Sequence, residues 1–161
     1  MKKHFVTLAL CVVALLSHAQ GNTPHAIGIR LGAGNTFGSQ VSYQYKLSNY
    51  NRLEIDFGFN SANDGNGFIL SGAYQWLWDI ESGFNWYAGP AVSLGSWNYD
   101  NDYDGKGDSG AYFGLGGQIG IEYNFVEVPI NLSLDTMPQF GFGPTNHNFN
   151  MGLSISARYK F

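Results

Sequence analysis

Apolar and polar residues alternate along most of the chain after residue 25, and the alternation has a period of two. The clearest example is the C-terminal stretch, in which every odd position from Phe149 to Phe161 is apolar or aromatic. The even positions of this stretch carry Asn, Gly, Ser, Arg and Lys. Because successive side chains of a β-strand point to opposite faces, the pattern predicts strands with one apolar and one polar face.

The alternation predicts eight strands and no helix after the first segment of the chain. The strands cover residues 26–33, 37–47, 51–60, 67–79, 84–97, 111–125, 128–137 and 148–161. Short connections at one end are Lys46–Asn51, Asp79–Gly83 and Phe125–Val128. Longer connections at the other end, rich in Gly, Asn and Asp, are Ser61–Asn66, Asn98–Gly110 and Pro138–His147. This arrangement is typical of an all-β, eight-stranded antiparallel up-and-down transmembrane β-barrel.

The first nineteen residues differ from the rest and predict an export signal. Two lysines precede an apolar run of 12 residues from Phe5 to Leu16, which is too short to span a bilayer. Small residues at the end of this segment suit cleavage after Ala19. The predicted organisation is therefore a cleaved signal peptide at 1–19 and one outer-membrane β-barrel at 20–161.

Alternation alone does not identify the face that meets lipid. A lipocalin-like soluble barrel also alternates, with its apolar face inward around a ligand. Here the strand charges fall on the polar face together with Gly, Ser and Gln, and only three lysines follow residue 19. A soluble barrel would need that face to be its solvated exterior, whereas small residues and a few paired charges suit a narrow interior.

An eight-stranded barrel has an interior just wide enough for side chains to fill, so the charges predict an ion-pair network that closes the lumen. Arg158 is expected to be the most connected cation of this network. The predicted members are Arg30, Arg52, Glu54, Asp56, Glu122, Asp135 and Arg158.

Aromatic residues on the apolar face cluster near the strand ends, which generic β propensity does not explain. Those next to the short turns are Tyr45, Trp76, Trp78, Trp86, Tyr123, Tyr159 and Phe161. Those next to the longer loops are Phe37, Phe59, Phe68, Phe113 and Phe149. Two aromatic rings with aliphatic residues between them match the girdles at the two interfaces of a membrane barrel.

The last strand closes on Arg158-Tyr159-Lys160-Phe161, a terminal Phe with an aromatic two residues before it. With this end the chain resembles the small eight-stranded outer-membrane β-barrels, the OmpA/OmpX-like family, over essentially all of 20–161. The segment from Val128 to Asp135 resembles the penultimate strand of that family's short porin-like members. One departure is Pro90 inside the fifth strand, where a bulge or bend is expected because a closed barrel has no edge.

The resemblance implies a monomeric barrel in the outer membrane of a Gram-negative bacterium. A second departure from the family is that the chain stops at the barrel, so no peptidoglycan-binding domain is expected. Outer-membrane lipid would surround it, and the barrel-assembly machinery would bind it through Phe161. Because eight is an even number of strands, both termini are expected in the periplasm. The formal net charge of −4 argues against nucleic acid as a partner, since phosphate binding needs a basic face.

Little in the sequence points to catalysis. His147 lacks the spacing to Ser that small lipid-deacylating barrels use, and the chain carries no histidine cluster for zinc. We therefore predict a non-enzymatic outer-membrane protein that stabilises the membrane, has no large pore and displays loops outside. The first alternative is a soluble exported lipocalin-like barrel that binds a small apolar ligand, and the second is a lipid-modifying barrel enzyme.

The loop Asn98–Gly110 is the one connection that suggests a cofactor. Acids at the first, third, fifth and ninth positions, with Gly at the sixth, match the first part of a calcium loop. Ala111 stands where the bidentate Glu should be. A hydrated acidic loop is the alternative, and the external partner of this loop is left open. The possible calcium ligands are Asp100, Asp102, Asp104 and Asp108.

Overall fold

The computed structural model describes residues 25–34, 38–62, 65–99, 108–142 and 149–161. Its strand segments in these ranges are β1 (His25–Gly34), β2 (Ser39–Lys46), β3 (Asn51–Ala62), β4 (Gly65–Glu81), β5 (Phe84–Tyr99), β6 (Asp108–Asn124), β7 (Ile130–Thr136), β8 (Gln139–Phe142), β9 (Phe149–Asn150) and β10 (Gly152–Lys160). Neighbouring segments are antiparallel, and β1 pairs with β10, which closes the sheet. Within the described ranges, no helix is long and apolar enough to span a membrane.

These segments form eight barrel strands, because two strands are each divided into two segments. Both β7 and β8 pair with β6 in one register, with Thr136 opposite Ile119 and Gln139 opposite Gly116. In the same way, β10 pairs with β7 and β9 pairs with β8. The predicted fold, a closed eight-stranded antiparallel barrel, is confirmed.

The barrel wall is polar on the inside and apolar on the outside. Among the described residues, 19 buried side chains are polar or charged and only four are apolar. The large apolar side chains of the strands point outward, and Ile29 and Ile155, for example, are 58% and 57% exposed. This polarity is opposite to that of a lipocalin, which keeps its apolar face around a ligand, and suits a wall surrounded by lipid.

The strands extend further into the loop end than the sequence predicts. The predicted loop Asn98–Gly110 is wrong at both ends, because β5 continues to Tyr99 and β6 begins at Asp108. The predicted loop Pro138–His147 is also wrong in part, because it contains β8. Gly, Asn and Ser signal turns by local preference, but a neighbouring strand that offers backbone partners can hold them in a ladder.

Pro90 does not produce the predicted bulge. It lies opposite Gly117 of β6, and the register between β4 and β5 is the same on both sides of it. Proline removes one backbone donor, so the ladder loses pairing there without gaining a residue. The register shift between β4 and β5 lies instead between Asp79 and Glu81, next to the short turn.

Candidate functional site

The lumen is filled by a polar cluster that is centred on Glu54 of β3. One carboxylate oxygen of Glu54, Oε1, accepts hydrogen bonds from Arg30 at 3.0 Å and from Gln118 at 2.8 Å. The other oxygen, Oε2, accepts from Arg158 at 2.9 Å and from Gln44 at 2.5 Å. Four donors from four different strands therefore converge on one carboxylate, which is 1% exposed.

Arg30 of β1 is the cation that pairs with the most carboxylates. Its guanidinium contacts Glu54, approaches Asp135 of β7 to 2.5 Å and lies 3.5 Å from Asp56 of β3. All of these side chains are at most 2% exposed. The cost of burying a guanidinium and three carboxylates is offset only by such pairing and hydrogen bonding.

Arg158 of β10 is not the most connected cation in ion pairs, so that expectation is wrong. Its guanidinium pairs with one carboxylate, Glu54, and donates to the hydroxyls of Ser42 and Ser133 at 2.8 Å each. Arg158 lies opposite Asn131 on β7, whereas Arg30 reaches the level at which three acids converge. The strand register, which sets the height of each side chain along the axis, decides this difference.

A second pair lies nearer the short-turn end and joins the central cluster through two amides. Arg52 Nη1 lies 2.6 Å from Glu122 Oε2, and Arg52 Nε donates to Gln75. The amide of Gln75 donates to Gln118 at 2.6 Å. Since Gln118 also donates to Glu54, hydrogen bonds and ion pairs join all seven predicted lumen charges into one cluster, with Gln75 and Gln118 as its bridge.

Tyr87 of β5 packs against both parts of this cluster. Its hydroxyl donates to Asp135 at 3.1 Å, and the guanidinium carbon of Arg52 lies 4.7 Å from its ring centroid. The side chain is fully buried. A ring contributes volume that short polar side chains cannot, so Tyr87 fills the space between the two ion-paired groups.

Sequence reasoning missed the neutral members of the cluster, among them Gln44, Gln75, Gln118 and Tyr87. The available signal was their position on the inward face, because each alternates with outward apolar residues of its strand. Opposite charges on the inward face predict ion pairs from the sequence alone. An amide or a phenol can both donate and accept, so its hydrogen bonds can be assigned only when its partners on other strands are known.

The cluster lies between two cavities inside the barrel. The larger, of about 670 Å³, lies at the short-turn end. The smaller, of about 180 Å³, lies toward the loop end. Residues that line the larger one include His25, Lys46, Arg52, Asp79, Glu122 and Lys160. Residues that line the smaller one include Arg30, Gln40, Ser71, Ser93, Tyr112 and Gln139.

Most of the predicted girdle residues lie on the outer surface. In the short-turn ring, Trp78 and Trp86 stack with centroids 4.2 Å apart. The whole ring is at least partly exposed, as are the described members of the loop-end ring. Phe37 of the loop-end ring lies outside the described residues. The structure places these members as follows: Tyr45, Trp76, Trp78, Trp86, Tyr123, Tyr159 and Phe161 at one end, and Phe59, Phe68, Phe113 and Phe149 at the other.

The predicted calcium ligands cannot be placed in the fold. Asp100, Asp102 and Asp104 lie outside the described residues, and Asp108 is described only as the first backbone position of β6. The described part of the chain contains no group of three or more His, Cys, Asp or Glu side chains that could hold a metal ion. The predicted signal peptide at 1–19 also lies outside the described ranges.

His25 is the one histidine among the described residues, and it lies at the seam between the first and last strands. Its Nδ1 lies 2.6 Å from the hydroxyl of Tyr43, and its ring stacks on Phe161 at 5.5 Å between centroids. Its backbone pairs with that of Phe161. These contacts tie the last residue of the chain to the first strand.

Comparison with known proteins identifies the fold. Neither family models nor curated proteins match the chain. Among solved structures, Neisserial surface protein A is 21% identical with a TM-score of 0.60, and the match covers 85% of this chain and 95% of that one. The N-terminal β-barrel domain of Pseudomonas aeruginosa OprF is 16% identical with a TM-score of 0.66, covering 88% and 100%. The chain has the fold of these small eight-stranded outer-membrane β-barrels.

Proposed function

We propose that this protein is a non-enzymatic outer-membrane β-barrel whose lumen is closed by the polar cluster around Glu54. The observation that carries the proposal is the inverted polarity of the barrel, with buried ion pairs inside and an apolar surface outside. Only a lipid environment makes that outer surface favourable, since it exposes far more apolar side chains than a soluble monomer tolerates.

The membrane proposed is the outer membrane of a Gram-negative bacterium. Support comes from the shared fold of the two neighbours and from the aromatic side chains at both ends of the outer surface. The short turns and both termini would then face the periplasm, and the longer connections would face outside. Phe161, which is held against His25, would be the residue through which the barrel-assembly machinery binds the chain.

A closed lumen supports a structural or loop-displaying role more than a transport role. The cluster spans the lumen between two separate cavities, and its charged groups are held by one another. An eight-stranded barrel filled in this way leaves no room for an aqueous channel. The contacts of His25 argue against a catalytic role. This histidine lies at the rim, where it is hydrogen-bonded to a phenol and stacked on aromatic rings.

Topology and membrane insertion can be tested on the full chain expressed in a Gram-negative host. An epitope tag inserted at Gly105 should be labelled on intact cells. A matched tag at Ser48, in a short turn at the other end, should be labelled only after the outer membrane is broken.

The barrel should co-fractionate with the outer membrane and require detergent for extraction. Release in the soluble periplasmic fraction would instead support the ligand-binding soluble barrel.

A further inference from the structure

Two neighbouring strands of the barrel wall are interrupted at the same level. The seventh barrel strand breaks between β7 and β8 at Met137 and Pro138, and the eighth breaks between β9 and β10 at Met151. Pairing between these strands stops at Thr136 and resumes at Gln139. The wall therefore lacks its ladder over about two residues, or roughly 7 Å along the strand direction.

Pro138 weakens the wall at the same level, on the side of the seventh strand that faces β6. Gly117 of β6 donates its backbone N–H to the carbonyl of Pro138 at 3.0 Å. In an antiparallel pair of this kind the second residue would return a hydrogen bond to Gly117, but Pro138 has no N–H to donate. The seventh strand therefore also loses one hydrogen bond to β6 beside the gap that separates it from the eighth strand. In the eighth strand, across the gap, Gly152 contributes no side chain to the inner surface. The wall is therefore thin here as well as weakly bonded.

The smaller cavity lies directly behind the interruption. Its lining includes Met137 and Gln139 from one side of the break and Met151 and Gly152 from the other. Met151 is 58% exposed on the outer surface and lines the cavity as well. The same residue thus borders both the outer surface and the cavity.

The cavity lining is polar, and one of its donors lacks a partner. Gln139 is 5% exposed, and its Nε2 has no hydrogen-bond partner within the described structure. Ser71 and Ser93 contribute hydroxyls that are bonded to each other at 2.8 Å. Arg30 also lines the cavity, but its guanidinium is already engaged by three carboxylates. A buried amide donor left unpaired costs free energy, so an oxygen acceptor at this site would stabilise it.

We propose that the smaller cavity binds the head of a single-chain amphiphile whose acyl chain leaves the barrel through the interruption at Met137 and Met151. The head is uncharged and rich in oxygen acceptors, because the free group is the Gln139 amide and the one lining cation is already neutralised. A volume of about 180 Å³ corresponds to roughly six water molecules, which suits a head of glycerol size. The inference rests on the membrane location proposed above.

Photo-crosslinking to a monoacylglycerol with a diazirine in its acyl chain tests the proposal. The full chain is inserted into phosphatidylcholine nanodiscs, and insertion is checked separately by the different gel mobilities of heated and unheated protein. We expect labelling of the peptides around Met137 and Met151 that an excess of unlabelled monoacylglycerol abolishes. Gln139→Leu, which removes the free donor, should lower this saturable labelling at least tenfold.

A second variant and a control separate the site from general contact with lipid. Met151→Trp, which places bulk at the interruption, should also lower labelling at least tenfold. Ile29→Trp is the matched control, because Ile29 is likewise 58% exposed on the outer surface, and it should leave labelling within twofold of wild type. Labelling that cannot be saturated, or that falls equally in the control, would overturn the proposal.

The charge of the head is tested by competition. An unlabelled fatty acid carries a carboxylate that Arg30 would favour if its charge were available. We expect the fatty acid to compete at least tenfold less well than the monoacylglycerol. A fatty acid that competes better would overturn the uncharged head. Failure of the protein to insert into nanodiscs would count against the membrane location itself and would be recorded before any labelling.

Discussion

Glu54 and Arg158 are 104 residues apart in sequence, yet Oε2 of Glu54 lies 2.9 Å from Nη2 of Arg158 in the middle of the barrel. Glu54 is on β3 and Arg158 on β10, which are separated in the sheet by β2 and β1. The pair therefore spans the lumen and forms only when the first and last strands close on each other. Its loss should affect the stability of the closed barrel more than that of any single hairpin.

Arg158→Ala should destabilise the barrel much more than Lys160→Ala. The substitution leaves Glu54 without one of its two arginines and leaves two serine hydroxyls without their donor. Removing one partner of a buried ion pair typically costs about 3–5 kcal/mol. Lys160 is on the same strand, but it lines the larger cavity, and among the described residues it donates only to Asn124, at 3.3 Å. Urea unfolding midpoints of the two variants provide the measurement, and equal midpoints would mean that water replaces the contacts of Arg158.

Removal of Arg30 should open the lumen. Without this cation, Glu54, Asp56 and Asp135 would face each other with less compensating charge, and their repulsion would favour hydration of the cluster. The wild-type protein in a planar bilayer should show no steady conductance, whereas Arg30→Ala should show resolvable openings. Lys160→Ala, which alters only the larger cavity, should remain closed. A steady conductance of the wild type would show that the cluster does not seal the barrel.

Gly28→Ala should weaken the pairing between the first and last strands. A Cβ atom on Gly28 would lie 1.9 Å from the backbone oxygen of Ala157, so the two strands would have to separate. Overpacking of this kind costs about 1–3 kcal/mol, and a backbone atom cannot move aside as a flexible side chain can. Gly72→Ala is the control, since the nearest atoms to its Cβ would be 4.0 Å away. The urea midpoint should fall for the first variant only, and a similar fall in both would point to a general effect of replacing glycine.

The protease sensitivity of the acidic loop tests whether this loop binds calcium. If Asp100, Asp102, Asp104 and Asp108 are ligands, millimolar calcium should protect the loop of the wild-type barrel from cleavage. Replacing Asp102 and Asp104 by Asn should remove that protection, because it removes two charged oxygen ligands. Asp79→Asn, near a short turn, should leave the protection unchanged. Isothermal titration without binding at millimolar calcium would favour the hydrated loop.

Most of the fold can be predicted from the sequence, because alternation of apolar and polar residues with a period of two determines the strands and the face on which each side chain lies. In the last strand the outward positions from Leu153 to Tyr159 and the inward positions between them are those predicted from the alternation. The side-chain direction of a strand residue is a local property, so it can be predicted without knowing the neighbouring strands. The membership of the lumen cluster follows for the same reason, and all seven predicted charges point inward.

Only the tertiary structure determined which side chains of the lumen cluster pair with each other. Arg30, Glu54 and Asp135 meet because the registers between strands bring them to one height, and closure brings opposite walls together. Local pattern specifies the face on which a side chain lies but not its height along the barrel axis, which depends on every register around the sheet. The same reason explains the interrupted wall. Pro138 and Met151 are unremarkable in sequence, and they weaken one place in the barrel only because β-pairing sets them side by side.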